Sequence, residues 1–201
     1  MSHQDPVPTE TSEVAEEPHE RLDPETQARR DAALELVRRF GDPVLRSRAL
    51  PIERFDDALR AEVRRMGELM HDSLGIGLAA TQLGVMHRVL VYRVDPDAPI
   101  AALINPVLEW SSDEKEEMDE GCLSLPGVLV PVERPISVRV RARDENGEEI
   151  EVEASGLEAR VIQHEMDHLD GVLILDRTTR QHRKEAMRAL RELAAGPPLE
   201  V

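Results

Sequence analysis

His164, Glu165 and His168 fall within five residues, and this pattern restricts the fold more than any other feature of the chain. Residues four apart on an α-helix lie one above the other, so the two imidazoles can hold one metal ion only if the stretch is helical. Glu165 is rotated by about 100° from His164, close enough to serve a water beside the ion without being a ligand. Two imidazoles with a carboxylate that handles a water's proton is the chemistry of the H-E-x-x-H pattern. Two histidines at this spacing alone would fit many solvated helices. Here the helix, read from Leu157 to Leu169 and closed by Asp170-Gly171, also carries an apolar face of Leu157, Val161, Met166 and Leu169. It is therefore expected to lie against the core.

A catalytic site of this kind keeps three protein ligands and one open position. Downstream of Gly171 the chain offers His182 and several glutamates, none in a distinctive setting. Upstream, Cys122 stands in Glu120-Gly121-Cys122-Leu123-Ser124-Leu125-Pro126-Gly127, where the glycines and proline let the backbone turn tightly and aim the thiol and nearby N–H groups inward. A metal would take that thiol as thiolate. A small buried hydrophobe is the bland alternative for a lone cysteine, and in company with the histidine helix the ligand reading overtakes it. A nucleophilic Cys–His pair leaves the second histidine and the glutamate without a task.

Gly75-Ile76-Gly77-Leu78-Ala79-Ala80 has the spacing of a dinucleotide fingerprint in the wrong context, because a helix precedes it where a strand is required. The glycines instead suit close approach of an extended peptide backbone to an open strand edge. Gln82, just beyond, carries an amide that could donate to a developing oxyanion.

Aromatic residues make up only 2% of the 201 residues, so the core must be built from Leu, Val, Ile, Ala and Met. A formal charge of −16 argues against general binding of DNA, which needs a basic surface. No apolar run approaches the roughly 18–20 residues of a membrane span, and Met1 to Glu20, acidic and rich in proline, has neither a secretory nor an organelle-targeting pattern. One cysteine cannot form an intrachain disulfide and suits a reducing compartment. The bacterial cytoplasm is the expected location.

Residues 1–30 are expected to form an acidic, disordered extension, residues 31–195 the catalytic domain and residues 196–201 a short tail. A weak helical pattern runs from Pro24 to Arg39 and a clear one over 56–74, with Gly75 as its stop. Arg88–Val94 and Ala101–Leu108 read as strands, and Ile136–Arg143 and Glu149–Ala154 as a hairpin about Asn146-Gly147. A last helix runs from after Asp176 to about Ala195. Helices flanking strands that include a hairpin give an α+β class.

Taken together, Gly75 to Gln82, Glu120 to Gly127 and His164 to Gly171 resemble, in order and spacing, the three motifs of the peptide deformylases, and Gly41-Asp42-Pro43-Val44-Leu45-Arg46 is similar to a stretch near the start of that family's domain. The resemblance covers about residues 34–190. It implies mostly antiparallel, mixed strands around a central metal-binding helix, with helices at both ends. It implies Cys122, His164 and His168 as metal ligands, Glu165 as catalytic acid/base, and Gln82 with the backbone N–H of Leu123 as oxyanion donors. Ile76, Gly77 and Val161 then line the substrate groove and methionine pocket. The implied reaction is removal of the formyl group from N-formyl-methionine on newly synthesised polypeptides. The implied ion is Fe2+, with Zn2+, Ni2+ or Co2+ as substitutes. Ile174 departs from the family in standing where an aromatic is common. A zinc metalloprotease and an inactive, metal-stabilised binding module are the alternatives.

The last helix repeats Arg180, Lys184, Arg188 and Arg191 on one face, beside a stripe of Met187, Leu190 and Ala194. A solvated face paired with Glu185 and Glu192 is the plain reading. Docking to ribosomal RNA is the functional one.

Overall fold

The computed structural model describes residues 22–195. Among the described residues five α-helices, α1 (Pro24–Leu36), α2 (Asp57–Asp72), α3 (Gly156–Leu169), α4 (Ile174–Arg177) and α5 (Arg180–Ala195), accompany seven strands. The strands are β1 (Gly77–Ala79), β2 (Val89–Tyr92), β3 (Ala101–Ser111), β4 (Lys115–Cys122), β5 (Leu125–Pro135), β6 (Ser137–Arg143) and β7 (Glu149–Ser155). β1-β2-β3-β6-β7 form one sheet and β4-β5 a separate hairpin, and every pairing between these strands is antiparallel. The class is α+β.

Local chemistry sets the helix starts. Asp23 and Asp56 each accept hydrogen bonds from two backbone N–H groups of the first turn, at 3.0–3.2 Å, capping α1 and α2. Leu59, Val63, Met66 and Met70 form the buried stripe of α2, as their spacing predicts, and pack on Leu78, Val89, Val91 and Ile104. α3 runs between the sheet and the hairpin and is buried nearly all round. Ala159, Ile162, Met166 and Leu169 pack on Leu90, Leu103, Val138 and Val140 of the sheet. α4 and α5 cover the outside of the hairpin, where Ile174 is buried with Leu173, Leu175, Val130 and Val132. The aliphatic residue at 174 is thus accommodated in the core on the hairpin side.

Several expectations shift. Helix α1 ends at Leu36, because Val37 is extended and turns the chain toward Gln82, whose carbonyl accepts from Arg38 N–H at 2.7 Å. The expected boundary at residue 30 therefore falls inside α1, while residues 1–21 and 196–201 lie outside the described residues. Leu74, not Gly75, takes the left-handed conformation after α2 (φ 58°). A Cβ at Gly75 would sit 3.2 Å from Leu123 Cδ1, so a larger residue there would press on the Leu123 side chain. The hairpin β4–β5 has no counterpart among the sequence-based strands. In α5, Ala186 is buried and Met187, Ala189 and Leu190 are half-buried, while Arg180, Lys184, Arg188 and Arg191 are exposed. The side chain of Ala194 lies outside the described residues.

Candidate active site

A cleft of about 530 Å³ opens between α3, β1 and the β4–β5 hairpin. Its walls include Ile76 and Gly77 on one side, Gly121, Leu123 and Leu129 on the other, and Leu157, Val161, His164 and Glu165 at the base. Arg30 and Leu34 of α1 also border it, which no sequence pattern indicated.

The expected donors converge. Cys122 ends β4 at a register irregularity, where it pairs with Leu125 across the two-residue turn of Leu123 and Ser124. Its Sγ lies 3.2 Å from His168 Nε2, and the imidazoles of His164 and His168 meet edge to face at 5.0 Å. One ligand atom from each of Cys122, His164 and His168 lies within 4.8 Å of the others. A tetrahedral ion with Zn–S near 2.3 Å and Zn–N near 2.0 Å sets its donors about 3.5 Å apart, so small side-chain adjustments suffice. The electrostatics agree. Burial pushes the Cys122 thiol up, yet His168 and His164 outweigh it and hold the group well below a free thiol. Burial likewise disfavours charge on His164, but Cys122 and Glu120 carry its pKa well above the usual histidine value. The thiol and the imidazole thus favour a thiolate beside a proton-bearing ring, a pair whose proton a metal ion would replace. The residues fit the metal.

Glu165 is 4% exposed, and its Oε2 has no hydrogen-bond partner among the described residues. Burial raises its pKa, opposed by His164 and His168. Gly77 lies against it: a Cβ at Gly77 would fall 2.9 Å from Glu165 Cγ and closer still to Oε1. Gln82 is buried with its amide orientation fixed, Oε1 accepting from Ala79 N–H at 2.9 Å and Nε2 facing Cys122 Sγ at 3.7 Å and Ser124 Oγ at 3.4 Å. Leu123 is fastened by Arg39, whose Nη1 donates to its carbonyl at 3.2 Å. Val161 is 6% exposed and Ile76, at the rim, 44%.

Behind this trio lies a buried ionic network absent from the sequence-based reading. Glu120 accepts from Arg134 through both oxygens (2.6 and 2.9 Å), from Arg160 Nη1 (2.7 Å) and, through Oε2, from His164 Nδ1 (3.0 Å). Burial would raise the Glu120 carboxyl, but His164 and Arg134 hold it at about 2. Arg134 also donates to Asp167 at 2.8 Å. Two spacings could have revealed this. Glu120 shares a strand face with Cys122 two residues on, and Arg160 is one helical turn before His164.

A buried carboxylate beside such a donor set, in an α+β fold with a cleft above it, is the arrangement expected of a metallohydrolase. Within the class the relationship is specific. The chain belongs to the polypeptide deformylase family, whose model matches residues 34–184. It is 48% identical over 160 residues to a peptide deformylase of Acidothermus cellulolyticus, covering 80% of this chain and 87% of that one. It is 50% identical over 141 residues to the Thermotoga neapolitana peptide deformylase, covering 70% and 85%. The crystal structure of a peptide deformylase from Synechococcus elongatus in complex with actinonin superposes with a TM-score of 0.75 at 43% identity, over 81% of this chain and 91% of that one. The Thermotoga maritima peptide deformylase gives 0.68 at 45% identity, over 71% and 96%. Most of α1 precedes the matched span.

Proposed function

We infer that this chain hydrolyses the formyl group from N-formyl-methionine at the N-terminus of newly made polypeptides, with Cys122, His164 and His168 holding one metal ion. The observation that carries the reading is the unpartnered, buried Oε2 of Glu165 beside those three donors, at the base of a cleft open to an extended chain. A metalloprotease of the H-E-x-x-H type is not favoured, because the third donor is a thiolate from the hairpin and not a residue downstream of the helix.

When bound, the ion supplies Lewis-acid polarisation of the formyl carbonyl and brings the pKa of a water to about 7. The substrate methionine occupies the pocket lined by Val161, and its backbone runs beside Ile76 and Gly77 at the free edge of β1. Glu165 takes a proton from the attacking water. As that oxygen bonds to the formyl carbon, charge moves to the formyl oxygen, where Gln82 Nε2 and Leu123 N–H donate; one such donor is worth about 3 kcal/mol in the transition state. Glu165 returns the proton to the departing nitrogen, the C–N bond breaks, and formate and a free methionine amine leave.

One thiolate and two imidazoles suit Fe2+ or Zn2+ on grounds of ligand softness. We assign Fe2+, with Zn2+, Ni2+ or Co2+ as substitutes, and place the enzyme in the bacterial cytoplasm where formylated chains are made. Formate release from a formyl-Met peptide by anaerobically purified protein, with metal analysis of the same sample, tests the reading. Formate with about one iron per chain is expected, and no release with metal bound would overturn it. On α5 Arg188 pairs with Glu192 at 2.8 Å, as the solvated-face reading has it; docking of the exposed Arg180, Lys184, Arg188 and Arg191 to ribosomal RNA is the second reading, with its own test. Salt-sensitive co-sedimentation with ribosomes, lost when the four become Gln, is the expected result, and no co-sedimentation at low salt overturns it.

A further inference from the structure

Arg160 is 6% exposed although it borders the cleft, and a guanidinium is seldom buried unless fully paired. Its partners are informative. Nη1 donates to Glu120 Oε1 at 2.7 Å and to the Val132 carbonyl at 2.9 Å, and Nη2 donates to the Glu116 carbonyl at 2.7 Å. Glu116 and Glu120 belong to β4 and Val132 to β5, so one side chain on α3 grips both strands of the hairpin. That hairpin carries Cys122, and α3 carries His164 and His168 one and two turns beyond Arg160. The donor trio is thus split between two elements, and Arg160 is one of the ties between them.

A second effect runs through Glu120. Its Oε2 accepts from His164 Nδ1, an arrangement that leaves Nε2 as the bare donor. Arg134 also holds Glu120, but it divides its guanidinium between Glu120 and Asp167. Asp167 has a second cation in Arg177, whereas without Arg160 the Glu120 carboxylate would keep only the shared Arg134 and His164 itself.

We propose that Arg160 is a positioning residue of the metal centre, which locks helix to hairpin and, through Glu120, fixes the ring of His164 toward the ion. This rests on the reading of His164 and Cys122 as ligands. The test uses Co2+-loaded protein and follows release of the ion to a chelator together with the visible absorption bands of cobalt, neither of which requires turnover. Arg160→Met keeps most of the stem and removes the fork; release about tenfold faster than wild type is expected, the lower end for a lost outer partner, with altered cobalt bands. Glu120→Gln should do the same, and the double variant should fall short of the product of the two single effects, because both share the path through Glu120 to one ring. Release within about twofold of wild type in Arg160→Met, or effects that multiply in the double variant, would overturn the proposal. If Arg160→Met does not fold, Arg160→Lys decides: a single ammonium cannot span Glu120 and both carbonyls. Release faster by about threefold or more then supports the tie, and a wild-type rate refutes it. His164→Ala is the control for the underlying reading, since cobalt retention there would remove the ligand assignment itself and not merely the role of Arg160.

Discussion

Gly77 gives the sharpest test of how the cleft works, because one added methyl group meets the residue assigned to proton transfer. A Cβ at this position would lie 2.9 Å from Glu165 Cγ and Cδ, where ordinary contacts are near 3.5–4 Å. The backbone has little freedom to recoil, since Gly77, Leu78 and Ala79 are in register with Tyr92, Val91 and Leu90 of β2. The Glu165 side chain must yield instead, by roughly half an ångström to one. Moving a reacting group by about 1 Å can cost on the order of 100-fold in rate, whereas an added methylene in a packed interior costs about 1–3 kcal/mol of stability. Gly77→Ala should therefore retain fold and metal while kcat for a formyl-Met peptide falls by about 30- to 100-fold. Circular dichroism melts, metal analysis and formate release on the same preparation separate the three quantities. A kcat within about threefold of wild type, with metal bound, would show that the cleft does not hold Glu165 where the mechanism needs it.

Replacing Glu165 with Gln keeps the ligands, so metal content should be unchanged while turnover drops by at least ~100-fold; near-normal formate release would remove the assigned role. Cys122→Ser exchanges a soft thiolate for an alcohol and should lower metal content after dialysis against chelator, and undiminished metal would place the third donor elsewhere. Asp176 offers a pH test: burial raises its carboxyl, but Arg46, the Leu173 N–H and Arg183 outweigh this and hold it below its ordinary value. A depressed folded-state pKa stabilises above the unfolded value, near about 4, and that contribution fades as pH falls through the folded one. The urea midpoint of Asp176→Asn should lie below wild type at pH 7 and converge with it in acid; a pH-independent gap would contradict the pairing.

The sequence was most legible where local periodicity and chemistry coincide. His164 and His168 could be placed on one helix face from spacing alone, and Asn146-Gly147 marked the β6–β7 turn, in which Gly147 has φ 89°. The β4–β5 hairpin was hidden for a physical reason. β4 is largely exposed, so Lys115 to Asp119 carry no alternating apolar signal, and β5 contains Pro126, Pro131 and Pro135, which argue against a strand unless it lies at an edge. The Arg134–Glu120–Arg160 network was fainter, signalled only by the spacing of Glu120 from Cys122 and of Arg160 from His164, because charged residues read as solvated until tertiary contacts pair them. Leu74 takes the left-handed turn although Gly75 stands beside it, so the local preference for glycine did not decide which residue carries the positive φ.

β1 contributes only Gly77, Leu78 and Ala79 to the end of its sheet. Exposed sheet edges invite other strands, and long flat ones lead to self-association and aggregation. Three residues offer too short a ladder to capture a strand from another copy of the enzyme, and the proposed binding mode asks of this edge only that it align a slender chain end. Main-chain pairing is indifferent to side-chain identity, so this edge suits a catalyst that must meet thousands of different nascent sequences and release each one quickly. Extending β1 by even a few residues would trade that turnover for stickiness.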